Sequence, residues 1–251
     1  MPFRLKNVGA TYQRMIQTCL ENQIGRMVEA YVDDVVVKTK HINQLIDNLR
    51  QTFDNLRAYD IWLNPEKYVF GVPARKLLRF IVSQRGIEAN PAKIRALSQL
   101  AIPTELKHVQ KLAGCVAALS RFISRLGEKA LPLYKLLKKT KNFQWTDEAT
   151  MALEEIKTLL AGNPILAAAG VGEPMLLYIS ATNQVVSAVL IVEQESEGHK
   201  FQVQKPVYYV SEVLTPCKSR YPHYQKIAYT VFMVSRKLRH YFQECSVTVA
   251  S

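Results

Sequence analysis

The sequence predicts an α+β chain of three successive units, on three observations. Residues 1–90 set short β-branched runs beside an amphipathic helix. Residues 91–145 repeat apolar side chains at helical spacing without a strand signal, and residues 146–251 return to strands flanking long helices. At 251 residues the chain exceeds one ordinary domain of about 100–200 residues.

In the first unit a helix is expected from Ala10 to about Leu20. The segment from Met27 to Lys38 has β-branched flanks around Asp33-Asp34, which reads as a hairpin folding at that pair. Ile42, Leu45, Ile46, Leu49, Phe53 and Leu56 then recur at helical spacing, a helix that ends before Asn64-Pro65. Tyr68–Phe70 and Leu77–Val82, joined by Gly71-Val72-Pro73-Ala74, read as a second hairpin.

Pro91 suits a first helical turn, with Ile94 and Leu97 behind it. Val109, Leu112, Val116, Leu119, Phe122 and Leu126 trace an apolar stripe, with Lys107, Lys111, Arg121 and Arg125 off it. Pro132 separates this stripe from Leu133–Leu137 and the basic run Lys138-Lys139-Thr140-Lys141. A helix follows from about Asp147 to Leu160, then strands at Met175–Ile179, Val185–Glu193 and Pro206–Val210. A helix from about Tyr224 to Leu238 and a strand at Ser246–Ala250 complete a mixed sheet with helices. Trp62 and Trp145 read as packing anchors, and the five histidines form no spaced cluster.

Composition sets limits. Hydrophobic residues at 48% and charged residues at 22% are ordinary globular values. No apolar run approaches the ~20 residues that span a bilayer, and Met1-Pro2-Phe3-Arg4 lacks a signal-peptide plan, so a cytoplasmic or nuclear protein is expected. Cys19, Cys115, Cys217 and Cys245 are scattered, as buried fillers rather than disulfides or zinc ligands. The net charge of +12 is uneven: thirteen basic and nine acidic residues in 1–90, eleven and two in 91–145, nine and ten in 146–251. The middle unit therefore suits either a polyanion or a solvated helical surface.

Two charges beside buried strands are costly unless paired or bound to cations. Vicinal carboxylates also supply hard oxygen ligands of the kind that two-metal phosphoryl transfer requires. Tyr31-Val32-Asp33-Asp34 matches the Y-x-D-D box of reverse transcriptases. The stretch from Met1 to Arg14 resembles the preceding polymerase motif of plant gypsy-type elements. Leu63-Asn64-Pro65-Glu66-Lys67 and Val82-Ser83-Gln84-Arg85-Gly86-Ile87 are similar to the primer-handling region, and Leu177-Tyr178-Ile179-Ser180-Ala181-Thr182 to the first RNase H strand. The chain thus resembles a fragment of a gypsy-class long-terminal-repeat retrotransposon Pol polyprotein, covering a partial palm (1–90), a helical thumb (91–145) and an RNase H-like domain (146–251).

That resemblance implies an RNA-directed DNA polymerase, a nucleotidyltransferase using Mg²⁺. Asp33 would be a direct metal ligand and Asp34 a supporting one. Phe3, Arg4 and Tyr31 would lie near the nucleotide and primer end, Gln13 in the motif B helix, and Arg79 in the primer-grip hairpin. The family usually has glycine at the places of Arg4 and Arg79, where backbone must approach closely. Lys107, Lys111, Arg121, Arg125, Lys135, Lys138, Lys139 and Lys141 would edge the groove of an RNA–DNA hybrid or DNA duplex, without sequence preference.

Neighbouring residues on a strand face opposite ways, so Asp33 and Asp34 need a further carboxylate, which the family carries in a motif upstream of this stretch. Ser180 stands where the nuclease has aspartate, and its helix glutamate falls near Gln225 and Ile227, where no acid remains. A hydroxyl is a poorer Mg²⁺ ligand than a carboxylate, so no RNA cleavage is expected. Tyr178, Ala188, Val189 and Tyr209 still suit a strand core. Two readings remain open: an enzyme piece, inactive alone, that works with the remaining Pol segments in trans, and a non-enzymatic nucleic-acid-binding remnant.

Overall fold

The structure is a computed structural model. It describes residues 6–31, 34–39, 41–72, 74–77, 80–83, 85–137, 143–170, 172–195, 198 and 201–250. The chain divides into two compact units, 1–72 and 73–251, and the expected boundaries at 90 and 145 fall inside the second.

In the first unit α1 (Val8–Cys19) is followed by β1 (Val28–Tyr31), β2 (Asp34–Val37) and α2 (Leu45–Ala58). β1 and β2 pair antiparallel as the apolar flanks predict. Alternation along β1 buries Val28, while Ala30, Val35 and Val37 pack against the same core of Ile16, Cys19, Leu20 and Leu56. Gln23 is completely buried there, and neither amide atom has a hydrogen-bond partner among the described residues. Trp62 does not anchor this core: it is 93% exposed.

The second unit opens with β3 (Ala74–Leu77), β4 (Phe80–Ser83) and β5 (Gly86–Glu88). The expected hairpin thus forms elsewhere. Tyr68–Phe70 carries no strand, and the chain folds between Leu77 and Phe80, not over Gly71–Ala74. Pairing of β4 on both sides, with β3 and with β5, outweighs the local turn preference of glycine and proline. α3 (Pro91–Ser98) starts on Asn90, whose side chain accepts a 2.9 Å hydrogen bond from the Ala92 amide.

α4 (Leu106–Ala117), α5 (Leu126–Lys129), α6 (Leu131–Leu136) and α7 (Asp147–Ala161) complete the helical part. Every stripe residue from Val109 to Leu126 is buried, although the helix breaks after Ala117 and Arg125 takes a left-handed φ of 53°. Trp145 is an anchor, packed on this core with its ring N–H donating to Thr150 at 2.8 Å. β6 (Ile165–Leu166) then joins the sheet β3-β4-β5-β6. At Gly86, φ is +131° and an added Cβ would lie 2.2 Å from the Leu166 carbonyl oxygen, so only glycine admits this approach.

β7 (Met175–Ala181), β8 (Val185–Gln194) and β9 (Val203–Val213) precede α8 (Pro216–Ser219), α9 (His223–Lys237), α10 (Arg239–Glu244) and β10 (Val247–Ala250). The sheet order is β10-β7-β8-β9, with β10 parallel to β7 and the other pairs antiparallel, the mixed sheet expected. Leu177, Ala188, Leu190 and Val192 on one sheet face pack with Val234 of α9 and with Leu238, which caps it. At Gly127 of α5 an added Cβ would meet Ser211 Oγ at 2.6 Å and Val185 Cγ1 at 2.7 Å. The helical segment therefore seats directly on the last sheet.

Candidate functional site

The β1–β2 hairpin brings Tyr31 directly opposite Asp34. Opposed residues of an antiparallel pair share a face, and here it is the face away from Val28. Tyr31 is 58% exposed and Asp34 is exposed. Glu29 shares that face, but Lys38 holds its carboxylate at 2.6 Å. Gln13 is tied to the hairpin, its Nε2 donating to the Ala30 carbonyl at 3.3 Å. Phe3, Arg4, Asp33, Arg79, Lys138 and Lys139 lie outside the described residues.

A magnesium ion prefers six oxygen donors, and a two-ion site needs several carboxylates close together. Among the described residues no three His, Cys, Asp or Glu side chains stand close enough to hold a metal ion. Among the described residues Asp34, with Glu29 committed to Lys38, does not by itself make a two-ion site and needs further carboxylates.

On the last sheet Ser180 is exposed and lies opposite Ser187. Leu177 faces α9, so alternation turns Ser180 to the other side of the sheet. Ser187 is buried and its hydroxyl lies 2.9 Å from that of Ser211, which accepts from the Gly127 amide at 2.8 Å. On α9 Gln225 is exposed and Ile227 half-buried, while Lys226 is 5% exposed and donates to the Asn183 carbonyl at 3.2 Å. Ala188 is buried as expected and Tyr209 packs on the helical core. Tyr178 instead is exposed, its hydroxyl accepting from Gln204 at 3.1 Å.

The helical cations divide. Lys107, Lys111 and Lys135 are exposed. Arg125 is exposed and paired with Glu128, whose hydrogen bond raises the guanidinium above its ordinary pKa. Arg121 departs from the expected groove position. Its guanidinium lies 4.8 Å from the Phe80 ring centre and 4.6 Å from that of Tyr208, and its Nε is buried with no hydrogen-bond partner among the described residues. Nothing in the local stripe signals this, because both rings come from distant strands. Cys19 is buried, its thiol pushed up by burial, whereas Cys217 is exposed and so not a core filler.

Residues 145–249 match the RNase H-like domain found in reverse transcriptase. The retrovirus-related Pol polyprotein from transposon opus of Drosophila melanogaster is 29% identical, over 96% of this chain and 24% of that polyprotein. The Pol polyprotein from transposon 297 of the same species is 27% identical, over 100% and 23%. The transposon Tf2-3 polyprotein of Schizosaccharomyces pombe is 26% identical, over 97% and 18%. The chain thus spans a quarter or less of these curated relatives. The foamy viral protease-reverse transcriptase in complex with RNA/DNA hybrid superposes with a TM-score of 0.83 at 21% identity, over 99% of this chain and 33% of that one. Its complex with dsDNA gives 0.81 at 22%, over 99% and 51%. At these identities the likeness shows the fold. Residues 145–249 thus match the RNase H-like domain of reverse transcriptases, and the chain is similar, over essentially its whole length, to a segment of retrotransposon Pol polyproteins.

Proposed function

We propose that the chain is a palm, thumb and nuclease-silent RNase H-like segment of a gypsy-class, plant-type element, and that it binds an RNA–DNA hybrid or DNA duplex without sequence preference. Lys107, Lys111 and Lys135 are its phosphate contacts, with Lys138 and Lys139 beside them in sequence. Asp33 and Asp34 belong to the polymerase site, and other Pol segments supply the further carboxylate in trans. Mg²⁺ is the ion that such a completed site takes. The compartment is cytoplasm or nucleus.

One observation carries this reading: the Tyr31–Asp34 pair at an exposed hairpin corner, with Gln13 bonded beside it. Support for a silent nuclease comes from Ser180, Gln225 and Ile227, none of which is an acid.

Primer extension with Mg²⁺ tests the polymerase part. The purified chain alone is expected to make no product, and an added upstream Pol segment restores synthesis that Asp34→Asn abolishes. Extension by the chain alone overturns the trans arrangement. Cleavage of an RNA–DNA hybrid by the wild-type chain overturns the silent nuclease. A duplex affinity that ignores salt, or is untouched by Lys107→Gln with Lys111→Gln, removes the phosphate contacts.

A further inference from the structure

The near-neutral sum of residues 146–251 conceals two opposite regions. Between Glu212 and Glu244 there is no acidic residue, while Lys218, Arg220, Lys226, Arg236, Lys237 and Arg239 all occur there. The rest of 146–251 holds three basic side chains against ten acidic ones. The positive run covers α8, the turn after it, α9 and the start of α10, three helices in succession.

Helix electrostatics account for part of this run only. Arg236 and Lys237 in the last turn of α9 suit its dipole. Lys218 and Arg220, just before the first turn, do not, and no acidic residue occupies that turn. Lys226 is buried and bonded to Asn183, so it leaves the count of surface charges. Arg220, Arg236, Lys237 and Arg239 are exposed, and none has a carboxylate partner among the described residues.

One flank of α9 adds an aromatic element. Tyr229, Phe232, Met233, Arg236 and Lys237 line an open groove of about 330 Å³. Phe232 is 55% exposed, and the Arg236 guanidinium lies 5.7 Å from its ring centre. Lys218 lies beside Tyr229, its ammonium 4.1 Å from that ring centre. The Tyr229 hydrogen bond raises its pKa, so this end stays cationic near Glu212. Tyr229 and Arg236 stand about two turns apart, ~10 Å along the helix.

We propose that this flank of α9 is a second nucleic-acid site, one that takes a single strand: phosphates on Arg236 and Lys237, an unpaired base on Phe232. The open ring decides between single strand and duplex. A duplex stacks its bases on one another and offers no free face to Phe232, whereas every unpaired base has one. Cations that track a backbone beside an aromatic platform bind single strands without regard to sequence. The site differs from the thumb cations in residues and in ligand, so the two stand or fall separately.

The test uses the full chain with fluorescein-labelled oligo-dT, oligo-rU and a blunt hairpin duplex. The double variant Arg236→Gln, Lys237→Gln is expected to make the log-affinity against log-salt slope for oligo-dT shallower by about 1.4, at about 0.7 per phosphate. Phe232→Ala is expected to weaken oligo-dT and oligo-rU about tenfold while leaving the salt slope in place, within the range for one stacked base. Phe232→Leu, which keeps bulk without a ring face, should weaken them similarly, separating stacking from packing. Duplex affinity should be unchanged in all three. Wild-type oligo-dT binding by the α9 variants overturns the proposal, as does an equal loss of duplex binding. So does displacement of oligo-dT by a polyglutamate peptide with no effect of Phe232→Ala, which would make the groove a seat for acidic protein. A wild-type chain that binds oligo-dT but no duplex supports this site and counts against the duplex reading alone.

Discussion

The guanidinium of Arg121 stacks 4.6 Å from the ring centre of Tyr208, with the Phe80 ring 4.8 Å away. The contact ties the turn after α4 to β9 and to the β4 strand of the first meander. Cation–π contacts contribute about 0.5–2 kcal/mol each depending on desolvation, so Arg121→Ala should lower stability by about 1–3 kcal/mol. Denaturant midpoints measure this, with Arg121→Lys expected to fall between. Duplex affinity should stay the same. A salt slope shallower by about one with unchanged stability would return Arg121 to the phosphate contacts.

Gln23 buries both amide atoms without partners among the described residues. A buried amide left unbonded costs about 1–3 kcal/mol by protein mutational data. Gln23→Met, close in shape and without the desolvation penalty, should stabilise residues 1–72 by about 1 kcal/mol. Hydrogen exchange of α1 and β1 reports it. Faster exchange in the variant would mean the amide has a partner.

Gly127 has no room for a methyl group beside Ser211 and Val185. Gly127→Ala should cost about 1–3 kcal/mol, in the range for overpacking. Adding Ser211→Ala removes the closer of the two obstructing atoms and should recover part of that loss. A neutral single substitution would show that α5 moves freely over the sheet.

Burial raises the phenols of Tyr134, Tyr209 and Tyr241, and Arg121 partly opposes the rise at Tyr241. The unfolded chain ionises tyrosine near pH 10, while the folded chain keeps these three protonated. Proton binding therefore favours the folded state above that pH. Stability should hold below about pH 10 and decline as pH rises toward the folded values. Absorbance at the phenolate band should show a late step, and replacing the three tyrosines by phenylalanine should remove it.

How far the sequence could be read depends on the range of the interaction concerned. The stripe from Val109 to Leu126 repeats at the helical period and β7 alternates at the strand period, and burial follows both, whereas β8 buries Val185 to Ala188 in succession because both its faces are covered there. The substitution at Ser180 is legible from residue type alone. The first meander is not, because glycine and proline suggested a corner at Gly71–Ala74, whereas β3 and β4 pair with Leu77 opposite Phe80 and β4 is held by β5 on its other side. β6 has two residues and thus no period. Trp62 shows the same limit from the other side, since its exposure depends on what does not pack against it. Arg121 looked like its lysine neighbours because its rings arrive from β4 and β9. The charge run along α9 is cancelled in the total for 146–251 by acidic residues elsewhere in that stretch.

The β5–β6 ladder pairs Ile87 with Leu166 and Glu88 with Ile165, through the passage that only Gly86 allows. Its consequence is one of timing during synthesis. The meander emerges early, but its fourth strand is translated only after the whole helical segment between them. At ~5–20 residues per second the wait is roughly 4–16 s, during which the β5 edge stays open to any other nascent strand. A synonymous-codon change that slows translation between positions 89 and 164 should therefore lower soluble yield without altering a single side chain.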